Sequence, residues 1–478
     1  MKLHFNKFII LALTAFVGLS ACNSSTDDDY EYSANESATS TLLTAFSLKA
    51  NRKIMANLDS VFFSIDQVNS VIFNADSLPW GTDTRKLTIN VTAPDASNVE
   101  VVMPSLADGS SQTVSVNDSI NFTGKNGVWL RVTSADGSRE NIYVVKVNVH
   151  QCKADSLQWS TRQRPLPAGN LRGLLEQQTV EMDGRFYCVA RTSLGSYLLT
   201  SDTPDPENWV STQLTSLPSD VKFNSLTAAG SSLYLLTESG SLLSSADGID
   251  WAEAATGWSH LYGAYGNDVI GLKGNNWISY PGGNTGTIPA GMPVEGTSRM
   301  WTFTNEWALR PQAMFAGGIK ANGSYDGNTW GFDGTSWAQL SGLLQVRQLP
   351  AARDMIIFPY FTFRTNSTNF VVSRQSAWIA FGGQLADGKM NKTVYVSLDN
   401  GLNWNEAASD LQLPADFEPR RAASVILHEQ TFHSRAVKPI TEWDAPFIYL
   451  YGGYDNFGTI INETRIGVIN RMTFKPLQ

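Results

Sequence analysis

From Lys86 to Val149 the chain alternates apolar and polar residues with a period of two. The runs are Lys86-Leu-Thr-Ile-Asn-Val-Thr92, Val99-Glu-Val-Val-Met103, Gln112-Thr-Val-Ser-Val-Asn117, Val128-Trp-Leu-Arg-Val-Thr133 and Ile142-Tyr-Val-Val-Lys-Val-Asn-Val149. Such alternation predicts strands with one wetted face. Turn signals separate them at Pro94-Asp95, Asp108-Gly109, Lys125-Asn-Gly127 and Asp136-Gly137. Residues 41–150 are therefore expected to form a β-sandwich. Long stretches with a 3.6-residue period are absent after the N-terminus, and the best helical candidate, Ala38 to Ala45, is short. The N-terminus is unlike the rest. Lys2 and Lys7 precede an apolar stretch from Phe8 to Ala21, which is the layout of a secretory signal peptide and is too short to span a bilayer.

That leader ends in Leu19-Ser20-Ala21-Cys22, which resembles a bacterial lipobox. The resemblance implies lipidation of the Cys22 thiol and cleavage of residues 1–21. Residues 22–40 are polar and acidic and read as a flexible tether. Asp27-Asp28-Asp29 resembles the acidic surface-export signal of Bacteroidetes lipoproteins; a plain solvated linker explains it equally well. The expected location is the outer membrane, lipid-anchored and surface-exposed, with the leaflet left open.

Residues 155–478 show a repeat. Ser397-Leu-Asp-Asn-Gly-Leu-Asn-Trp404 follows S-x-D-x-G-x-x-W, the Asp-box of sialidase-like and sortilin-like propellers. Shorter forms stand at Ser245 to Trp251 and Ser324 to Trp330, one without the serine at Phe332 to Trp337, and a degenerate one from Ser201-Asp202 to Trp209. In this motif Asp bonds the turn backbone, Gly supplies positive φ and Trp packs beneath the sheet. Ser397, Asp399, Gly401 and Trp404 are thus structural expectations. The double glycines Gly317-Gly318, Gly382-Gly383 and Gly452-Gly453, each after an apolar strand, resemble kelch blades. Trp209, Trp251 and Trp337 are spaced by one and then two units of about 43 residues, close to the ~40–50 of a four-stranded blade. The fold expected is all-β: an immunoglobulin- or cadherin-like sandwich followed by a six-bladed propeller. Blades should end near Trp209, Trp251, Trp277, Trp337, Trp404 and Phe474, with long loops at residues 360–375 and 429–444. Seven blades remain open if Ser156-Leu-Gln-Trp159 adds a closing strand.

Composition narrows the function. Hydrophobic residues make up 42% and charged residues 17%, which suits a folded body rather than a disordered one. The formal net charge of -9 falls further when the two leader lysines are removed. With no basic run, nucleic acid is excluded as a partner. His4, His150, His260, His428 and His433 show no zinc spacing. No EF-hand spacing, G-x-S-x-G elbow or phosphate-binding glycine loop is found. No metal, cofactor or catalytic set is therefore assigned. Arg310, Arg353, Arg374 and Arg420-Arg421 do not form a sialidase-type arginine motif, and Asp-boxes alone do not make a sialidase. Arg353 and Arg421 fall near the starts of innermost strands and are the candidate channel-facing ligand contacts, with a salt bridge or carbonyl cap as the competing role. The aromatic runs at 301–307 and 358–363 read as blade core or as a sugar-stacking platform. Cys152 and Cys188 are left with their pairing open. The plan resembles two-domain Bacteroidetes lipoproteins of unknown function, and implies a membrane-anchored protein that presents a propeller to a glycan or protein partner. The alternatives are a carbohydrate-active hydrolase, lyase or epimerase, and a purely structural component.

Overall fold

The alternating segment and the repeating segment give two separate β-structures. The computed structural model describes residues 37–104, 110–124, 127–160, 164–304, 308, 310–342, 347–365, 372–433 and 442–470. These divide into two units, one of Asp83–Val147 with the residues before Ala75, the other of Asn148 onward with Ala75–Thr82.

In the first unit, six strands pair in the order Ser64–Asp66, Val71–Phe73, Glu140–Lys146, Val128–Ser134, Ala96–Pro104 and Ser111–Val114. A second sheet joins Ala45–Leu48 to Ile89–Thr92. Alternate residues of Val128–Ser134 are buried, as its pattern predicts, and Phe46, Leu48, Ile89, Leu130, Val132 and Tyr143 fill the interior. The helix expected at Ala38–Ala45 is not formed. A 3₁₀ turn at Ser37–Thr39 gives way to the strand beginning at Ala45. The segment is rich in threonine, whose branched Cβ disfavours helix, and extended chain buries Phe46 and Leu48. No described helix is long and apolar enough to cross a membrane.

The second unit is a six-bladed propeller. The innermost strands of blades one, two and three are Leu174–Met182, Val221–Ala229 and His260–Tyr265. Blade four splits its innermost strand into Pro293–Glu295 and Trp301–Phe303, both paired with Gln312–Lys320. Blades five and six begin with Ile356–Thr365 and Ser424–His433. Each innermost strand contacts the next, and that of blade six contacts that of blade one. Blade six takes its outermost strand from far upstream, where Leu157–Trp159 pairs with Thr464–Ile469. The upstream segment therefore closes the ring as a member of the sixth sheet and adds no seventh.

Some blade landmarks differ from expectation. Trp277 lies in the third strand of blade three, Asn276–Tyr280; the fourth is the short Thr285–Thr287. Phe474 lies outside the described residues, and Trp159 carries the outer strand of blade six instead. The expected long loops are mainly hairpin arms, because Ile356–Thr365 and Val372–Phe381 pair along their whole length, as do Ser424–His433 and Glu442–Tyr451. Phe358, Tyr360 and Phe361 are buried between blades, so this aromatic run serves as core.

The segment from Ser397 to Trp404 carries its own hydrogen-bond network. The Ser397 hydroxyl donates to Asp399 at 2.8 Å and accepts from the Gly401 N–H at 2.8 Å. Asp399 also accepts the Asn403 N–H, and buried Trp404 donates Nε1–H to Thr329 of blade four. Ser245, Asp247 and Gly248 repeat the first part of this network. Ser324 to Trp330 does not. Its core lies inside the strand Tyr325–Phe332, where Asp326 is buried, pairs with Lys320 and accepts the Trp330 indole N–H. The blade-four hairpin is the serine-less copy, with Asp333 accepting from the N–H groups of Thr335 and Ser336.

Candidate functional site

The double glycines shape the mouth of the channel. Gly383 and Gly453 have φ of +84° and +91°, a region costly for residues bearing a Cβ. A Cβ on Gly453 would stand 2.8 Å from the Arg421 carbonyl, and one on Gly383 3.0 Å from that of Arg353. Gly318 stands in the same relation to the Glu295 carbonyl, at 2.9 Å. In three successive blades the glycine thus admits the backbone of one residue at the channel mouth: Glu295, Arg353 and Arg421.

The residue after each of these three is left-handed: Gly296 at φ +59°, Asp354 at +53° and Ala422 at +54°. They form a backbone chain around the axis. The Asp354 N–H donates to the Gly296 carbonyl at 2.6 Å, and the Ala422 N–H to the Asp354 carbonyl at 2.9 Å. Left-handed backbone costs about 1–2 kcal/mol at a non-glycine residue, offset here by bonds that tie blades four, five and six together.

This ring borders a cavity of about 670 Å³, within the usual range for small-ligand sites. Every blade contributes: Glu176 and Arg191 from blade one, Lys222 from two, His260 from three, Arg299 and Trp301 from four, Arg353 and Asp354 from five, Arg421 and Tyr454 from six. Most charges are paired. Asp354 accepts from Arg353 at 2.9 Å and from Arg421 at 2.8 Å. Arg191 lies 3.7 Å from Glu176, and Lys222 lies 3.0 Å from Glu238. Arg421 also rests over the Tyr454 ring. His260 Nε2 is 2.9 Å from the Thr297 hydroxyl. An edge of this imidazole reaches the cavity, yet the surrounding protein desolvates it and lowers its pKa to about 4, with Asp354 opposing and Lys222 reinforcing. Arg299 differs from the other cations. Its guanidinium lies over the Trp301 ring, 5.7 Å from guanidinium carbon to centroid, and desolvation lowers its pKa to about 10.

Comparison with protein-family models places the architecture. Residues 153–477 match the DUF6242 beta propeller domain, and residues 33–147 match the domain of unknown function (DUF6242) N-terminal domain. The chain belongs to the DUF6242 family. No curated protein matches this DUF6242 chain. Among solved structures it is similar to the N-terminal domain of Nup159 and to YCF48 bound to D1 peptide, each at 12% identity and TM-score 0.31. The former match covers 66% of this chain and 96% of the other, the latter 65% and 96%. An endo-1,4-beta-xylanase from Bacteroides thetaiotaomicron matches at 12% identity and TM-score 0.27, covering 66% of this chain and 100% of the other. Superpositions this loose carry no functional argument.

The DUF6242 structure brings Arg353 and Arg421 together on Asp354, so both line the cavity and both are ion-paired. Neighbouring Arg420 is fully buried and structural: it pairs with Glu463 at 2.6 Å and donates to the Gly452 carbonyl. Cys22 lies outside the described residues. Cys152 and Cys188 are not joined in a disulfide, and burial pushes the Cys188 thiol up to about 12. The sequence reading missed Glu176, Lys222, His260, Arg299 and Asp354. For Asp354 a signal existed, since it directly follows Arg353 at the position where blade six has Ala422. For Arg299 none did, because it sits in the interruption of a strand.

Proposed function

We propose that this DUF6242 protein is a lipid-anchored, surface-displayed binding protein whose propeller receives a polar ligand of oligosaccharide class in the channel-mouth cavity. The observation that carries the reading is a cavity of small-ligand size to which all six blades contribute charged or polar side chains. Its charge arrangement favours binding over turnover. Asp354 is held by two guanidinium groups, Glu176 lies beside Arg191 and Glu238 beside Lys222. Acid–base catalysis on sugars uses a pair of carboxyl groups flanking the bond to be cleaved, and three of the carboxylates at this cavity are instead engaged by neighbouring cations. Anchoring is argued from the leader and Cys22, and the acidic tether suits display at a distance from the membrane.

A glycan array probed with the whole protein and with Arg421→Ala tests the binding reading. Binding by the former, weakened about tenfold or more in the latter, is the expected result; an empty array together with empty pull-downs would overturn it. For the anchor, Cys22→Ala should move the protein from the membrane to the soluble fraction. A carbohydrate-active enzyme is the second reading, favoured by a neutral imidazole, His260, at the same cavity. It requires turnover of a host or plant glycan that His260→Gln abolishes.

A further inference from the structure

We propose that the cavity takes an acidic saccharide, seating its carboxylate or sulfate on the Arg299 guanidinium beside the Trp301 ring. This rests on the cavity being a ligand site and names the chemistry it selects. Five cationic residues line the cavity. Arg191, Lys222, Arg353 and Arg421 each have a protein carboxylate within ion-pair distance. Arg299 has none among the described residues, and its guanidinium lies over the Trp301 ring. A guanidinium offers five N–H donors in a planar fork matched to an oxyanion. Arg299 is part-buried at the cavity wall, so its donors are open to a ligand oxyanion and not committed to a protein carboxylate.

The surroundings define the rest of the ligand. Glu176, Asp220, Glu238, Glu295 and Asp354 also line the cavity, so its five cations and five carboxylates balance, and Arg299, the cation without an ion-pair partner among the described residues, is where an anion gains most. Glu295, exposed and also lining the cavity, supplies an acceptor on the other side of Gly296. Gln178, Ser225, Thr227 and Thr297 add hydroxyl and amide groups to the wall. Trp301 is part-buried, packs against the core and adds apolar surface to the cavity wall beside Arg299. A cationic seat, an acceptor, several hydroxyl partners and a patch of apolar wall together suit a sugar bearing an anion better than a bare ion. That such a seat persists in a chain of net charge -9 makes it specific and not part of a general basic surface.

Calorimetric titration of the whole protein with galacturonic acid oligosaccharides, a sulfated galactose oligosaccharide, their neutral counterparts and inorganic sulfate separates the outcomes. The acidic sugars should bind at least tenfold more tightly than the neutral ones, less tightly at high salt. Whichever of the two acidic sugars binds names the group. Arg299→Gln should remove that preference, and Arg299→Lys should keep part of it. Removing an unpaired cation should also leave the thermal midpoint unchanged or raised, whereas loss of a structural arginine lowers it. Equal binding of neutral and acidic sugars, unaffected by Arg299→Gln, overturns the anion seat and leaves the ligand site standing. Binding of inorganic sulfate without sugar overturns the saccharide. A lowered midpoint in Arg299→Gln, with Arg299→Lys binding acidic and neutral sugars alike, assigns Arg299 to structure and overturns the proposal. Failure of every sugar to bind removes the ligand site itself.

Discussion

Asp354 joins more of the channel mouth than any other side chain there. Its backbone bonds blades four and six, and its carboxylate holds Arg353 and Arg421. Asparagine tolerates the same left-handed backbone, so Asp354→Asn removes the charge and little else. Leaving two guanidinium groups uncompensated should cost about 2–3 kcal/mol, below the range for fully buried pairs because Arg353 is partly solvated; urea denaturation at pH 7 measures it. His260 gives a pH signature. Its folded pKa is about 4 against an ordinary 6.5, so the unfolded chain takes up a proton that the folded chain refuses. Stability therefore rises with pH between these values and falls as acid is added through them. His260→Gln should flatten that part of the profile, read as urea midpoints at pH 7 and pH 5. At this scale the sequence was only partly legible. Arg353 and Arg421 announced themselves by standing ahead of apolar strands. Lys222, His260 and Arg299 come together only because separate blades converge, and no spacing along one chain encodes that.

Hairpins and doublets are the level at which the sequence spoke most clearly, because each is a local solution to a local problem. Ser397, Asp399 and Gly401 bond among themselves within a few residues, so the motif carries its own structure wherever the fold puts it. The exception is instructive: Ser324-Tyr-Asp-Gly has the same letters, but its Tyr-Asp-Gly lies within a strand, since Asp326 finds Lys320 and Trp330 as partners and the turn falls at Asp333 instead. The glycine doublets were legible as close approaches, though not as the device that admits Arg421 to the channel. Gly453→Ala should therefore do two things at once. The new Cβ meets the Arg421 carbonyl at 2.8 Å on a backbone of φ +91°, so the thermal midpoint should fall by several degrees. Ligand affinity should fall with it, whereas Gly388→Ala, in an open turn with nothing within 4 Å of its Cβ, should strain its backbone yet leave affinity unchanged.

Across the whole molecule, the all-β class and the division into a sandwich and a propeller followed from alternation and repeat length. The count of six blades was legible too, though not all of its landmarks: long hairpin arms in blades five and six stretch the repeat, and the sixth sheet borrows Leu157–Trp159. Leu157 is buried and paired with Ile469. A charge there has no partner, so Leu157→Asp should unlatch blade six, seen as faster proteolysis and a broadened unfolding transition. That borrowed strand also sets an order of events. A ribosome makes residues 157–159 long before residues 464–469, and for that interval the early strand has a bare edge and no neighbour. Blades one to five can form as they emerge, each from contacts close in sequence. The circle waits for the final hairpin, so refolding from denaturant should end in a slow phase that reports Trp159 becoming enclosed.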